Sequence, residues 1–282
     1  MKTIFSNTFL LLAGLFAVNH HATAQLQPLD DEQMAQTVGQ AYIEMDSRLV
    51  DDNKISRITF GQKVKIQANA DSLTLGADYD NGINVGTDFN ASNFSLGYID
   101  TTNNNTIVPF EFTNPYFEWA VDNTATDSKN NMMGFRIGFE DAKGVLQGDF
   151  TNFSGNIGMQ INGADASLFT DTSANGGVSS SQRATYISSN SSSCIDGDNC
   201  VSLANIQSLA VGSGTTGTAD FFLSFQKNAL NWGSGQTASK GFFMNVPTST
   251  NLNVNNSASS TGRLATEFID RGIGRWDVAP TN

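Results

Sequence analysis

Cys194 and Cys200 are the chain's two cysteines, with Ile-Asp-Gly-Asp-Asn between them. In an exported protein an even, closely spaced pair is expected to be oxidised, and closing so small a loop contributes about 2 kcal/mol. Such a bridge pins a local turn and does not hold a domain together. Two oxygen-rich segments, Asp78-Tyr-Asp80-Asn-Gly82 and Asp196-Gly-Asp198-Asn199, offer the ligands calcium takes. Neither keeps EF-hand spacing, and Asp, Asn and Gly equally build hairpin turns, so the turn reading is preferred and no metal site is assigned. Trp119, Trp232 and Trp276 would stack on sugar rings if aligned on an exposed face, but large aromatics are expected in the core or half-buried. Asp and Glu together number 27, yet no local motif selects a pair for glycoside hydrolysis.

The elements that position these residues begin with an N-terminal leader. Met1–Ala24 has Lys2 as its positive region, the apolar run Phe9–Val18, and Ala22-Thr-Ala24 as a small-x-small cleavage site. This predicts a signal peptide removed after Ala24, with export through the inner membrane to the periplasm, the cell surface or a fimbrium. Both histidines, His20 and His21, lie in the leader. The mature chain therefore has no Ser-His-Asp or Cys-His group, no His-ligated metal and no His-ligated haem. No catalytic residue and no cofactor are assigned, and the chain is read as a non-enzyme. With 15 Lys and Arg and a net charge of −12, it lacks the basic surface that phosphate contacts need, so no nucleic-acid partner is expected. No later apolar run is long enough for an integral membrane span in the mature chain.

Residues 25–40 form a distinct unit. Asp30 is a good N-cap and Gln33 completes a capping box, Leu29 and Met34 form a hydrophobic staple, and Gly39 suits the left-handed position past a helix end. This predicts a short capped helix that must dock to be stable. Leu29, Asp30, Gln33, Met34 and Gly39 are the candidate assembly segment.

From Ile55 the period changes to two. Ile58-Thr-Phe60, Val64-Lys-Ile66, Leu73-Thr-Leu75, Ile83-Asn-Val85 and Phe94-Ser-Leu96 alternate, and Leu73-Thr-Leu-Gly-Ala-Asp-Tyr79 closely matches Ile83-Asn-Val-Gly-Thr-Asp-Phe89. Phe135, Ile137 and Phe139 share a parity, and Phe221–Phe225 and Gly241–Val246 read as further buried strands. Alternation of this kind sets one face on a core and the other in solvent. Residues 41–282 are therefore expected to be one all-β domain of short antiparallel strands, a sandwich or elongated β-stack, with a β-solenoid as the alternative. The Ser/Asn/Gly-rich stretch 164–200 is expected to be a long surface excursion that carries the disulfide. The five prolines are expected near element boundaries.

The segment Leu26-Gln-Pro-Leu-Asp-Asp-Glu-Gln-Met-Ala-Gln-Thr-Val-Gly-Gln40 resembles the stretch directly after the signal peptide in a family of exported gammaproteobacterial proteins. Their pattern is approximately L-x-x-L-x-D-x-x-[LM]-x-x-[VT]-x-G-Q, and members include pilus (fimbrial) assembly proteins of the Fil type. Glu267-Phe-Ile-Asp-Arg-Gly-Ile-Gly-Arg-Trp276 is similar to the ending of such chains. The resemblance implies a surface or fimbrial context, with other envelope or fimbrial proteins as partners, and brings no catalytic residue. Neither the long apolar helix of a mature type IV pilin nor the alternating donor strand of a chaperone–usher pilin accompanies it. The leading expectation is an exported, non-enzymatic structural or accessory protein of a fimbrial system. A secreted carbohydrate-binding or adhesin module is the alternative, and a carboxylate-dependent hydrolase is a further one.

Overall fold

A computed structural model describes residues 42–77, 86–124, 131–172, 177–195, 199–212, 216–233, 235, 237–248, 250–252 and 264. The leader, the capped segment with Leu29, Asp30, Gln33, Met34 and Gly39, and the Trp276 tail lie outside them.

The described chain is all-β. Its first strands are Tyr42–Val50 (β1), Asn53–Gly61 (β2), Lys63–Ile66 (β3), Ala68–Ala77 (β4), Thr87–Leu96 (β5), Tyr98–Asp100 (β6) and Thr106–Val108 (β7). Phe110–Asp122 (β8) and Met132–Phe153 (β9) follow, then Gly155–Ile157 (β10), Gln160–Ile161 (β11), Ala164–Asp165 (β12), Ser167–Phe169 (β13), Tyr186–Ser188 (β14) and Cys200–Ser202 (β15). After a 3-10 turn at Leu203–Asn205 come Ser208–Val211 (β16), Phe222–Gln226 (β17), Leu230–Asn231 (β18), Thr237–Ala238 (β19), Gly241–Val246 (β20) and Asn251–Leu252 (β21).

Eleven strands share one sheet whose main path runs β1-β2-β8-β9-β17-β20-β10. Two expected details are corrected. The strands are not uniformly short, because β9 runs for 22 residues. They are not all antiparallel either, because β10 pairs parallel with β20 and β11 parallel with β21. Strand β9 reaches this length because its two halves serve different neighbours: Met132–Lys143 pairs with β8, and the stretch Leu146–Phe153 pairs with β5.

Pro115 also departs from expectation, since it lies inside β8 and not at a boundary. It sits where β8 changes partner, between Thr113 opposite Lys63 of β3 and Tyr116 opposite Thr59 of β2. A residue at that gap has no ladder hydrogen bond to give, so the missing N–H costs little. The stretch 164–200 is more structured than a surface loop: it carries β12, β13 and β14, and Phe169 and Ile187 are buried.

Aromatic side chains organise the larger core. Phe89 on β5 meets Phe94, Phe150, Phe153 and Phe242 edge-on, with ring centroids 5.7–6.1 Å apart. Phe110, Phe112, Phe139 and Phe221 stack beside it. Each such pair adds about 0.5–1.5 kcal/mol beyond the area it buries.

A second, smaller core lies against the other half of the sheet. Ile55, Ala120, Phe222 and Phe243 contribute from sheet strands, and Leu230, Trp232 and Ala238 from the β18–β19 hairpin laid across them.

Candidate functional site

The two faces of the β1-β2-β8-β9-β17 region invert the expected chemistry. Residues paired across an antiparallel ladder share a face. One face therefore carries Arg48, Arg57, Glu118, Arg136 and Ser224, and the other carries Met45, Ile58, Phe117, Ile137 and Leu223.

The charged face is the covered one. Glu118 and Arg136, register partners on β8 and β9, are both fully buried. Arg136 donates from Nε to Glu118, and its Nη2 closes a second contact on the same oxygen. Arg57 Nε and Arg48 Nη1 each lie 2.7 Å from Glu118 Oε1. Arg48 also donates through Nη2 to the Trp232 carbonyl, 2.8 Å away.

Phe222 and Trp232 lie under the Arg136 guanidinium at 4.8 and 5.1 Å. Tyr116 takes the Arg57 guanidinium at 3.9 Å. Gly138 is required here, because a Cβ at that position would fall 2.3 Å from the Tyr116 ring.

Burial pushes the Glu118 carboxyl up, but Arg136, Arg48 and Arg57 outweigh it and hold the pKa below the ordinary carboxylate range. Burial likewise raises the Tyr116 phenol. A carboxylate held low and ringed by three guanidiniums is a poor proton donor or nucleophile, so this cluster serves as structure.

The opposite face is apolar and open. Met45 is 71% exposed, and Ile43, Leu49, Phe117 and Phe225 also face solvent. Trp119, Phe135 and Phe225 form one rung across β8, β9 and β17, and it ends on the fully buried Phe242 of β20. Phe60 meets Phe117 edge-on, and Phe117 stacks on Phe135 at 5.8 Å. At the β9–β17–β20 end the face opens into a groove of about 810 Å³. Met132, Met133, Phe135, Phe225 and Phe242 line it, with Lys227 and Lys240 also in its lining.

Other sequence candidates separate from this face. Cys194 and Cys200 form the expected disulfide, and both are buried against Phe169 with Tyr186 packed alongside. Most of the Asp196–Asn199 turn is outside the described residues, but Asn199 accepts the Ile195 N–H at 2.9 Å through its side-chain oxygen. The Asp78–Gly82 turn is likewise outside. Trp119 is half-buried on the open face and Trp232 is fully buried, so these two do not line up, and Trp276 lies outside the described residues.

A polar cleft of about 410 Å³ brings Asp71 and Asp149 together with Asn69, Asn93 and Gln207. The Asp149 oxygens are held by the Asn93 and Gln207 amides. Among the described residues no group of three His, Cys, Asp or Glu could hold a metal, and no helix is long and apolar enough to cross a membrane.

The shared parity of Phe135, Ile137 and Phe139 reads as a core face; Phe139 does pack on the larger core, but Phe135 and Ile137 lie on the open apolar face, which that parity does not reveal. The signal was the glycine parity of Gly134-Phe-Arg-Ile-Gly138. Glycines on the arginine side leave room for bulk from elsewhere, here Tyr116 and Leu230, and so mark that side as the packed one.

Protein-family models, curated proteins and solved structures were all compared with the chain, and none matches it.

Proposed function

We propose that the chain is an exported, non-enzymatic accessory or structural protein of a bacterial fimbrial system, acting in the periplasm or at the cell surface by docking onto other envelope or fimbrial proteins. The observation that carries the docking role is the open apolar face through Met45, Phe117 and Phe225. Contiguous exposed apolar surface on an otherwise acidic, weakly hydrophobic chain marks an interaction site. The fimbrial context is supported by the resemblance of Leu26–Gln40 and Glu267–Trp276 to exported pilus assembly proteins.

The aromatic rung from Trp119 to Phe225 favours a second reading, a carbohydrate-binding module. Sugars need hydroxyl partners beside the stacking rings; Ser56 lies beside Trp119 and Ser47 beyond it, but the adjacent row is Met45, Ile58, Phe117, Ile137 and Leu223. That composition suits an apolar protein surface better.

Tagged mature protein recovered from envelope fractions tests the proposal. It should retain fimbrial subunits or their assembly factors, identified by mass spectrometry, and Phe117→Ser with Phe225→Ser should release them while the melting temperature holds. Retention of glycans by the wild type, with no envelope protein, would establish the second reading instead.

A further inference from the structure

Among the described residues strand β1 forms one end of the main sheet path, and β2 is its only register partner. Natural proteins blunt such edges with Pro, charged side chains, bulges or shortness. Tyr42-Ile-Glu-Met-Asp-Ser-Arg-Leu-Val50 has charges at Glu44, Asp46 and Arg48 but no Pro, bulge or shortness: it has nine residues and pairs with β2 without a register shift. Side chains 43–47 are exposed on both faces.

The outward hydrogen-bonding groups follow from the turn. Val50 and Asn53 flank the two-residue turn Asp51-Asp52, which makes them its hydrogen-bonded pair. Alternation along the ladder then turns the N–H and C=O groups of Leu49, Ser47, Met45 and Ile43 away from β2, toward the open edge.

We propose that two copies of this chain join edge to edge, β1 pairing antiparallel with β1 of a second copy about a two-fold axis at Ser47. Charge selects this occupant and this register. With Ser47 opposite itself, Asp46 of each copy faces Arg48 of the other, and Met45 of each faces Leu49 of the other. Opposite charges directly across a ladder stabilise it and like charges destabilise it. Moving the centre one residue toward the N-terminus sets Asp46 against Asp46, and one residue the other way sets Arg48 against Arg48.

The inference rests on the edge and its charges, and stands apart from the docking role of the apolar face. The dimer would carry one sheet through both copies and bring their apolar faces to the same side.

Sedimentation velocity on the mature, disulfide-bonded protein tests this. The wild type should dimerise below about 100 µM. Ser47→Pro should be monomeric at the same loading with unchanged circular dichroism, since its N–H points outward and proline is tolerated there. Asp46→Lys should weaken association about tenfold or more, because it sets a cation against Arg48 twice. Ser47→Cys should give a disulfide-linked dimer on mild oxidation, since residues facing each other in such a pair lie about 5.5 Å apart at Cα.

A wild type that stays monomeric overturns the proposal. So does a dimer that survives both Ser47→Pro and Asp46→Lys. Loss of the dimer in Phe117→Ser with Phe225→Ser, but not in Ser47→Pro, would move the interface to the apolar face.

Discussion

Glu118 and Arg136 face each other across neighbouring strands, fully buried, beneath the Trp232 hairpin. Each makes the other tolerable. Two charges taken from water cost several kcal/mol each, and close contact between them repays that cost when the remaining polar atoms are satisfied. Arg48 and Arg57 satisfy the other Glu118 oxygen.

Glu118→Gln leaves the buried Arg136 guanidinium without its counter-charge. Urea denaturation should show a loss of about 3–5 kcal/mol. Glu118→Leu combined with Arg136→Met removes both charges and should recover a large part of that loss. A single substitution costing under about 1 kcal/mol would mean that solvent reaches the cluster.

The same cluster sets an acid limit. The Glu118 carboxyl is held below its ordinary range, so its contribution is complete above the unfolded value of about 4.3 and is lost as pH falls through the lower folded value. Glu111, at the centre of Lys63, Lys65 and Lys143, is lowered to about 2 and acts in the same direction. Calorimetry should show a melting temperature that is flat above about pH 5 and falls below it. Glu118→Gln should flatten that fall. An unchanged slope in the variant would assign the acid transition to other groups.

How far the fold was legible varies along the chain. The alternating pairs at Ile58-Phe60, Val64-Ile66, Leu73-Leu75 and Phe94-Leu96 all lie in strands, because period two is a local backbone property. Which face is buried is not local. Phe135 and Ile137 are apolar yet face outward, because β18 and β19 arrive from some ninety residues later to cover Arg136 instead. The Cys194–Cys200 bridge was legible from spacing and expected compartment, but its packing on Phe169 depends on β13 and β14 meeting, which spacing does not encode.

The two sequence repeats meet in a contact that can be tested. Gly76 of the first lies opposite Asp88 of the second, between the pairs Leu75–Phe89 and Ala77–Thr87. Asp88 is fully buried, accepts the Phe242 N–H at 2.8 Å and pairs with Arg183 Nε at 3.0 Å, which ties β5 to β20. A Cβ at position 76 would fall 2.3 Å from an Asp88 carboxylate oxygen, and Gly76 has a φ of +68°. Gly76→Ala should therefore cost about 1–3 kcal/mol in strain, and more if Asp88 leaves Phe242. Hydrogen exchange at the Phe242 amide reads that displacement directly. Unchanged protection there would show that β4 shifts away while Asp88 stays.

The disulfide offers the sharpest separation of chain entropy from packing. Six positions separate Cys194 and Cys200, so loop closure alone accounts for about 2 kcal/mol. Both residues are also buried in a small cluster with Phe169 and Tyr186. Replacing both by Ala keeps that cluster apolar and should cost little beyond the loop term. Replacing both by Ser places hydroxyls among the rings and should cost about 1–3 kcal/mol more, because buried polar groups without partners are penalised. Thermal melts of the two double variants measure the difference. Equal losses would mean that the pocket around Phe169 admits water, and complete unfolding of the Ala pair would mean that the bridge holds β13, β14 and β15 together instead of pinning one turn.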